Sequence, residues 1–316
     1  MKARVLFGVF GFIFVLLALY VFPPIVLELV VAALCVFATY EVLGSTKLVR
    51  NHLELLLAMA VSLGLAVGHF SILPLRLESV MQGLVLVLVL LFGSFAIELK
   101  YHDVMKASQV SWAFFGGLVV PYLLLSLLRI FQMHYHHGPF IVLLPLLAAW
   151  GADTCALFSG MLFGKHKLAP VVSPKKTVEG AVGGVVGGAV LVLIAALIMN
   201  RTLGLEMPLW SAVVLGAVGA VLGEIGDLSF SVIKRQTGIK DYGHIFPGHG
   251  GVLDRFDSVL FVAPFAVFLR VCKVKFVRFL YVLKNVKRQI MQAVYDGKTV
   301  FLRKSPFACH HKRVLD

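Results

Sequence analysis

Acidic residues are scarce in this chain: 16 Asp and Glu stand against 29 Lys and Arg, and only 14% of the 316 residues are charged. With 59% hydrophobic residues and a mean hydropathy of +0.93, so little charge excludes a soluble globular protein and a solvated disordered one. Cysteine is nearly missing. Cys35, Cys155, Cys272 and Cys309 occur singly with no CxxC pair, which argues against a disulfide framework or a cysteine zinc site and leaves any metal to oxygen ligands. The opening MKAR and its apolar run lack a small-residue cleavage site, so they read as a retained span and not as a signal peptide.

What the chain has in abundance is apolar runs. Spans are expected near 4–22, 24–43, 53–72, 79–98, 110–131, 139–162, 177–199, 209–232 and 256–272. Each approaches the ~20 residues a helix needs to cross a bilayer. The expected fold is therefore an all-α polytopic membrane protein of about nine transmembrane helices. With the N-terminus inside, the inner loops collect fourteen Lys and Arg and the outer loops only Arg76, Arg129 and Arg201, so loops 164–176 and 233–255 are expected to face the cytoplasm. From Arg270 onward twelve Lys and Arg face only Asp296 and Asp316. Phe276, Phe279, Leu280, Leu283, Val286, Ile290 and Val294 recur there at helical spacing, as in a basic amphipathic helix on anionic headgroups. Its side of the membrane is open. The net charge of +13 lies mostly in this tail and the inner loops, which suits membrane lipids and not nucleic acid. The chain thus divides into scaffold helices over 1–135, a catalytic region over 136–272 and a basic tail over 273–316.

Chemistry concentrates after residue 140. Between Ser231 and Asp257 four cations and three carboxylates crowd around five glycines. Charge in hydrocarbon costs about 2.5–3.5 kcal/mol even on the lenient insertion scale, so such groups pair, bind ions or line a wet cavity. Glu224 and Asp227, like Asp254 and Asp257, stand three residues apart and would share a helix face. Such pairs suit a divalent metal, or they form ion pairs with Lys234, Arg235 and Arg255. In Ser173–Gly180, SPKKTVEG, Lys175 and Lys176 precede a helix start that Thr177 could cap. This is either a phosphate cradle or a positive-inside anchor. Glycines at 180, 184 and 188, at 183 and 187, and at 219 and 223 allow close helix approach. That approach would bring the Lys175–Lys176 corner near Asp227, and it allows a homodimer. Gly250 and Gly251 could admit phosphate oxygens to backbone N–H groups, or simply form a turn.

Together these residues carry a resemblance. Ser231, Lys234, Arg235, Lys240, Asp241, His249, Gly250, Gly251, Asp254, Arg255 and Asp257 fill the pattern S-x-x-K-R-x-x-x-x-K-D, H-G-G, L-D-R-F-D, which resembles the signature of the phosphatidate cytidylyltransferases, also called CDP-diacylglycerol synthases. SPKKTVEG and GADTCALFSGMLFGK around Asp153 are similar to further elements of that family. The likeness is strong over about 140–270, and the basic tail departs from it.

The resemblance implies transfer of CMP from CTP to phosphatidic acid with Mg2+, and leaves room for a second cation. It implies Asp227 and Asp254 as metal ligands, with Glu224 and Asp257 as ligands or neighbours and Asp153 as a weaker candidate. Lys175, Lys176, Lys234, Arg235 and Arg255 would contact phosphates. Ser173, Thr177 and Ser231 would supply hydroxyls or caps, and Lys240, Asp241 and His249 would order the loop over the nucleotide. A bacterial-type inner membrane is the expected location. A transporter would carry its carboxylates near the midplane, and a noncatalytic lipid-binding scaffold would not need the full pattern of charges. The closest competitor is an enzyme using CTP on a different lipid phosphate.

Overall fold

Backbone polar groups in apolar runs of this length can be satisfied only within their own segment, so the chain folds into helices. The computed structural model describes residues 11, 13–70, 79–101, 107–133, 137–243 and 250–269. Helix α1 covers 13–20. It is followed by α2 (Pro24–Ser45), α3 (His52–Val67), α4 (Ser79–Lys100), α5 (Ala107–Gln132) and α6 (Gly138–Phe163). A short antiparallel hairpin, β1 (Lys167–Ala169) and β2 (Ser173–Thr177), leads to α7 (Val178–Leu203) and α8 (Leu209–Gln236). The single turn α9 (Leu253–Phe256) and then α10 (Val259–Leu269) close the described chain.

Six of these helices, α2 and α4 to α8, are long and apolar enough to cross a membrane. The protein is an integral membrane protein. Nine spans were expected; α3 and α10 are shorter, and the expected spans 4–22 and 256–272 are described only in part, so the described residues establish six. The hairpin is an exception to the all-α expectation. All described residues belong to one compact unit, Met1–Leu269, and the basic tail 273–316 lies outside them.

Helix starts follow the local chemistry. Pro24 and Pro139 sit in the first turns of α2 and α6, where a missing N–H costs nothing. Asn51 Oδ1 accepts the Leu53 N–H at 2.9 Å to open α3, and Thr177 Oγ1 accepts the Gly180 N–H at 3.1 Å to open α7. Gly204, at φ 63°, ends α7 in the left-handed region.

Three π-helical turns interrupt these spans: Glu41–Ser45 ends α2, Phe115–Val119 lies inside α5 and Leu147–Gly151 lies inside α6. Such turns insert a residue, rotate the helix beyond them and are frequent at functional sites. Thr39, two residues before the first, donates through Oγ1 to the Gly116 carbonyl in the second at 2.8 Å.

Helices α2 to α5 pack on one another, while α7 lies between α6 and α8. The glycine repeats serve this second packing. A Cβ on Gly184 would meet Ala152 O at 3.1 Å and Ala156 Cβ at 3.0 Å, and one on Gly216 would lie 2.5 Å from Gly188 O. Backbones therefore touch, and β2, which runs straight into α7, is held beside the last turns of α8.

Candidate active site

Along α8, Glu224, Asp227, Ser231 and Lys234 fall at intervals of three and four residues and so share one face. Ser231 Oγ donates to Asp227 Oδ1 at 3.3 Å. Against this face stands β2, whose alternation turns Lys175 out and Lys176 in. Lys176 Nζ lies 2.6 Å from Asp227 Oδ2 and 2.8 Å from Glu224 Oε1. Burial alone would lower the pKa of this ammonium, but the two carboxylates outweigh it and hold it above the ordinary lysine value.

Two further acids complete the cluster. Asp257, 6% exposed, caps the N–H of Ser258 at 2.8 Å and interacts electrostatically with Asp227, Asp153 and Lys234. Asp153 accepts from Ser258 Oγ at 3.1 Å. Glu224 and Asp227 thus flank Lys176, Asp153 and Asp257 stand beside them, and the charge of Lys234 is shared. Carboxylates in excess of cations in a partly desolvated site attract a cation, and an all-oxygen donor set is the kind magnesium takes. Among the described residues no three acidic, His or Cys groups are already arranged as a closed metal cage, and the cation seated between Glu224 and Asp227 is Lys176.

Asp254 is held by a different set of contacts. Its Oδ1 accepts from Lys234 Nζ at 2.8 Å, and its Oδ2 accepts the N–H groups of Tyr242 at 2.8 Å and Gly251 at 2.9 Å. Lys234 also lies 5.3 Å from the centre of the Tyr242 ring. The Tyr242 hydroxyl donates to Phe230 O at 2.8 Å, and burial pushes its pKa up. Asp254 therefore folds the loop back onto α8, and Lys234 links this anchor to the acidic cluster. Gly250 has φ 84°, and a Cβ there would lie 2.8 Å from Asp254 Oδ2. These glycines make room for carboxylates of the protein itself.

The other expected residues are more dispersed. Arg235 is exposed and donates through Nε to Val172 O at 3.2 Å, tying α8 to the hairpin. Lys175, Lys240, Asp241 and Arg255 are exposed, Ser173 is half-buried in β2 and Thr177 is the α7 cap. His249 lies outside the described residues.

Sequence reasoning missed the residues that hold α9. Trp150, in the third π-turn, donates through Nε1 to Arg255 O at 2.9 Å. Glu41, the first residue of the first π-turn, accepts the N–H groups of Val252 at 2.9 Å and Leu253 at 2.7 Å. An ionisable residue inside an apolar span was the available signal for Glu41. Trp150 offered none.

A membrane-embedded helical bundle with a cluster of carboxylates and lysines at the joint of a hairpin, a long helix and a clamped turn defines a class: an integral membrane protein with a charged cluster among its helix ends. Residues 2–272 match the family described as the Cytidylyltransferase family, and the chain belongs to it. Its relatives include a phosphatidate cytidylyltransferase of Haemophilus influenzae, 32% identical over 285 residues, which cover 84% of this chain and 96% of that protein. Another, from Staphylococcus saprophyticus, is 46% identical over 127 residues, 40% of this chain and 47% of that protein. A third, from Staphylococcus epidermidis, is 45% identical over 123 residues, covering 39% and 46%.

Proposed function

We propose that this chain is a phosphatidate cytidylyltransferase, which transfers CMP from CTP to phosphatidic acid and so makes CDP-diacylglycerol for phospholipid synthesis. Beyond the family, the observation that carries this reading is the seating of Lys176 between Glu224 and Asp227, beside Asp257 and Asp153. Such a site can hold a nucleotide's phosphates and the cation that accompanies them. A phosphate oxygen of phosphatidic acid attacks the α-phosphorus of CTP, the new O–P bond forms, the bond to the β-phosphate oxygen breaks and pyrophosphate leaves. A phosphate monoester has its second pKa near about 6, so the nucleophile is already an anion and needs no general base. Charge is the difficulty, because two anions must meet in line.

The donor set fits magnesium. Asp227 and Asp257 would hold it, with Glu224 and Asp153 adjacent, while Asp254 keeps the loop in place. When bound, Mg2+ neutralises the triphosphate and stabilises the leaving pyrophosphate. Lys176, Lys234, Arg235 and Arg255 orient phosphate oxygens, and Lys175, Lys240, Asp241 and His249 border the nucleotide. Ser173, Ser231, Gly250 and Gly251 shape the walls of that site. The excess of basic residues in the inner loops supports a cytoplasm-facing site in a bacterial-type inner membrane. A homodimer would need a face other than the α7 glycines, which are already packed within the protomer.

The test is to supply detergent-solubilised protein with labelled CTP, Mg2+ and phosphatidic acid. The expected result is a CMP-bearing lipid and pyrophosphate, both lost with EDTA. A folded protein that binds CTP yet makes no such product from phosphatidic acid would sink the reading and favour another lipid phosphate as acceptor.

A further inference from the structure

We infer that Glu41, in the N-terminal half of the chain, is a positioning residue for the transfer reaction: its carboxylate fixes the α9 turn that leads directly into Asp257 of the site. This inference rests on the function proposed above.

The geometry is specific. Glu41 is 1% exposed, and its two oxygens accept different backbone N–H groups, Oε1 from Val252 and Oε2 from Leu253. Val252 and Leu253 open the α9 turn, where N–H groups have no partner within the helix. The surroundings are shaped around the carboxylate. A Cβ on Gly251 or on Gly243 would collide with Glu41 Oε1. Two glycines, one on each side of the loop, therefore let a side chain from α2 enter. The π-turn that begins at Glu41 lies at the end of α2.

Glu41 is one of three grips on a single turn. Trp150 holds the far end through Arg255 O, and Asp254 folds Gly251 and Tyr242 onto the turn from within. Asp257 and Ser258 come directly after it, and Ser258 reaches Asp153. A shift at Val252 and Leu253 is thus passed over one turn to two of the four carboxylates. Misplacement of a reacting group by about 1 Å can cost about 100-fold in rate. Glu41 touches no substrate in this arrangement and acts only through α9.

The experiment uses the full chain with Glu41→Gln and Glu41→Leu. Glu41→Gln keeps the shape and one acceptor but turns an amide NH2 toward an N–H. At temperatures well below unfolding, kcat is expected to fall by about tenfold or more in Glu41→Gln and further in Glu41→Leu, with KM for CTP within about threefold of wild type. Hydrogen exchange at the Val252 and Leu253 amides is expected to quicken in both. Wild-type kcat in Glu41→Gln, or unchanged exchange at those amides, overturns the inference. If the wild-type protein makes no CMP-bearing lipid, the proposed function falls, while the exchange measurement still decides whether Glu41 holds the turn.

Discussion

The two halves of the molecule handle buried acid in opposite ways. In the N-terminal half each buried carboxylate stands in its own helix and takes at least one donor from the protein: Glu54 Oε1 from Ser94 Oγ at 2.6 Å, its Oε2 having no hydrogen-bond partner among the described residues, Glu28 from Gln132 Nε2 at 3.4 Å, and Glu41 from two backbone N–H groups. In the C-terminal half four carboxylates cluster together, two of them on Lys176, with too few cations to balance them. A buried acid supplied with donors by its own protein is structure. A group of acids short of cations is a candidate site, because charge left over after folding is free to act on a ligand.

The largest effect is expected at the cluster. Asp227→Asn keeps shape and removes one charge, so activity is expected to fall at least about 100-fold with the protein still folded. Turnover near wild type would show that the cluster is not the site. Asp254→Asn tests a different role. The Lys234 and Asp254 side chains are only 10% and 4% exposed, and removing one charge of a buried pair costs about 3–5 kcal/mol. Asp254→Asn is therefore expected to lower the thermal midpoint well below that of Asp227→Asn, and a stable Asp254→Asn that has lost only Mn2+ binding would return Asp254 to the metal.

Much of this is legible in the sequence alone. Hydropathy placed the long helices to within a few residues, since a bilayer permits few alternatives to a helix. The glycine repeats foretold the close approach that puts Lys176 beside Asp227. The hairpin was not legible: β1 has three residues, too few for a period, and β2 contains a proline. Nor were the different contacts of Asp254 and Asp257, since equal spacing cannot say which acid meets a lysine and two N–H groups. Glu41 pairs with residues 211 and 212 positions away, a separation that no local pattern encodes.

Lys176 sharpens the comparison from the cationic side. Lys176→Met removes the cation seated between Glu224 and Asp227, leaving the cluster more negative. Turnover is expected to drop about tenfold or more, while Mn2+ affinity of the nucleotide-free protein rises. A loss of both would make Lys176 a structural pin. The pH dependence has a fixed sign. A lysine whose pKa is raised on folding stabilises fully below its unfolded value and loses that contribution as pH rises through the folded one. Any loss from this contact is thus expected only above the ordinary 10.5, and a stability decline assignable to Lys176 near about pH 8 would contradict the ion pairs.

The smallest effect is expected where the N-terminal half is most self-contained. Glu54 is fully buried, and its Oε1 accepts the Ser94 hydroxyl proton at 2.6 Å between α3 and α4. Glu54→Gln keeps that acceptor and the side-chain volume, so stability is expected to change by no more than about 1 kcal/mol and CMP transfer not at all. Glu41→Gln is an equally conservative exchange of a buried glutamate in the same half, yet it is expected to slow the reaction, because its partners belong to α9 and those of Glu54 do not. Equal losses in the two variants would mean that burial alone, and not the α9 contact, sets the cost.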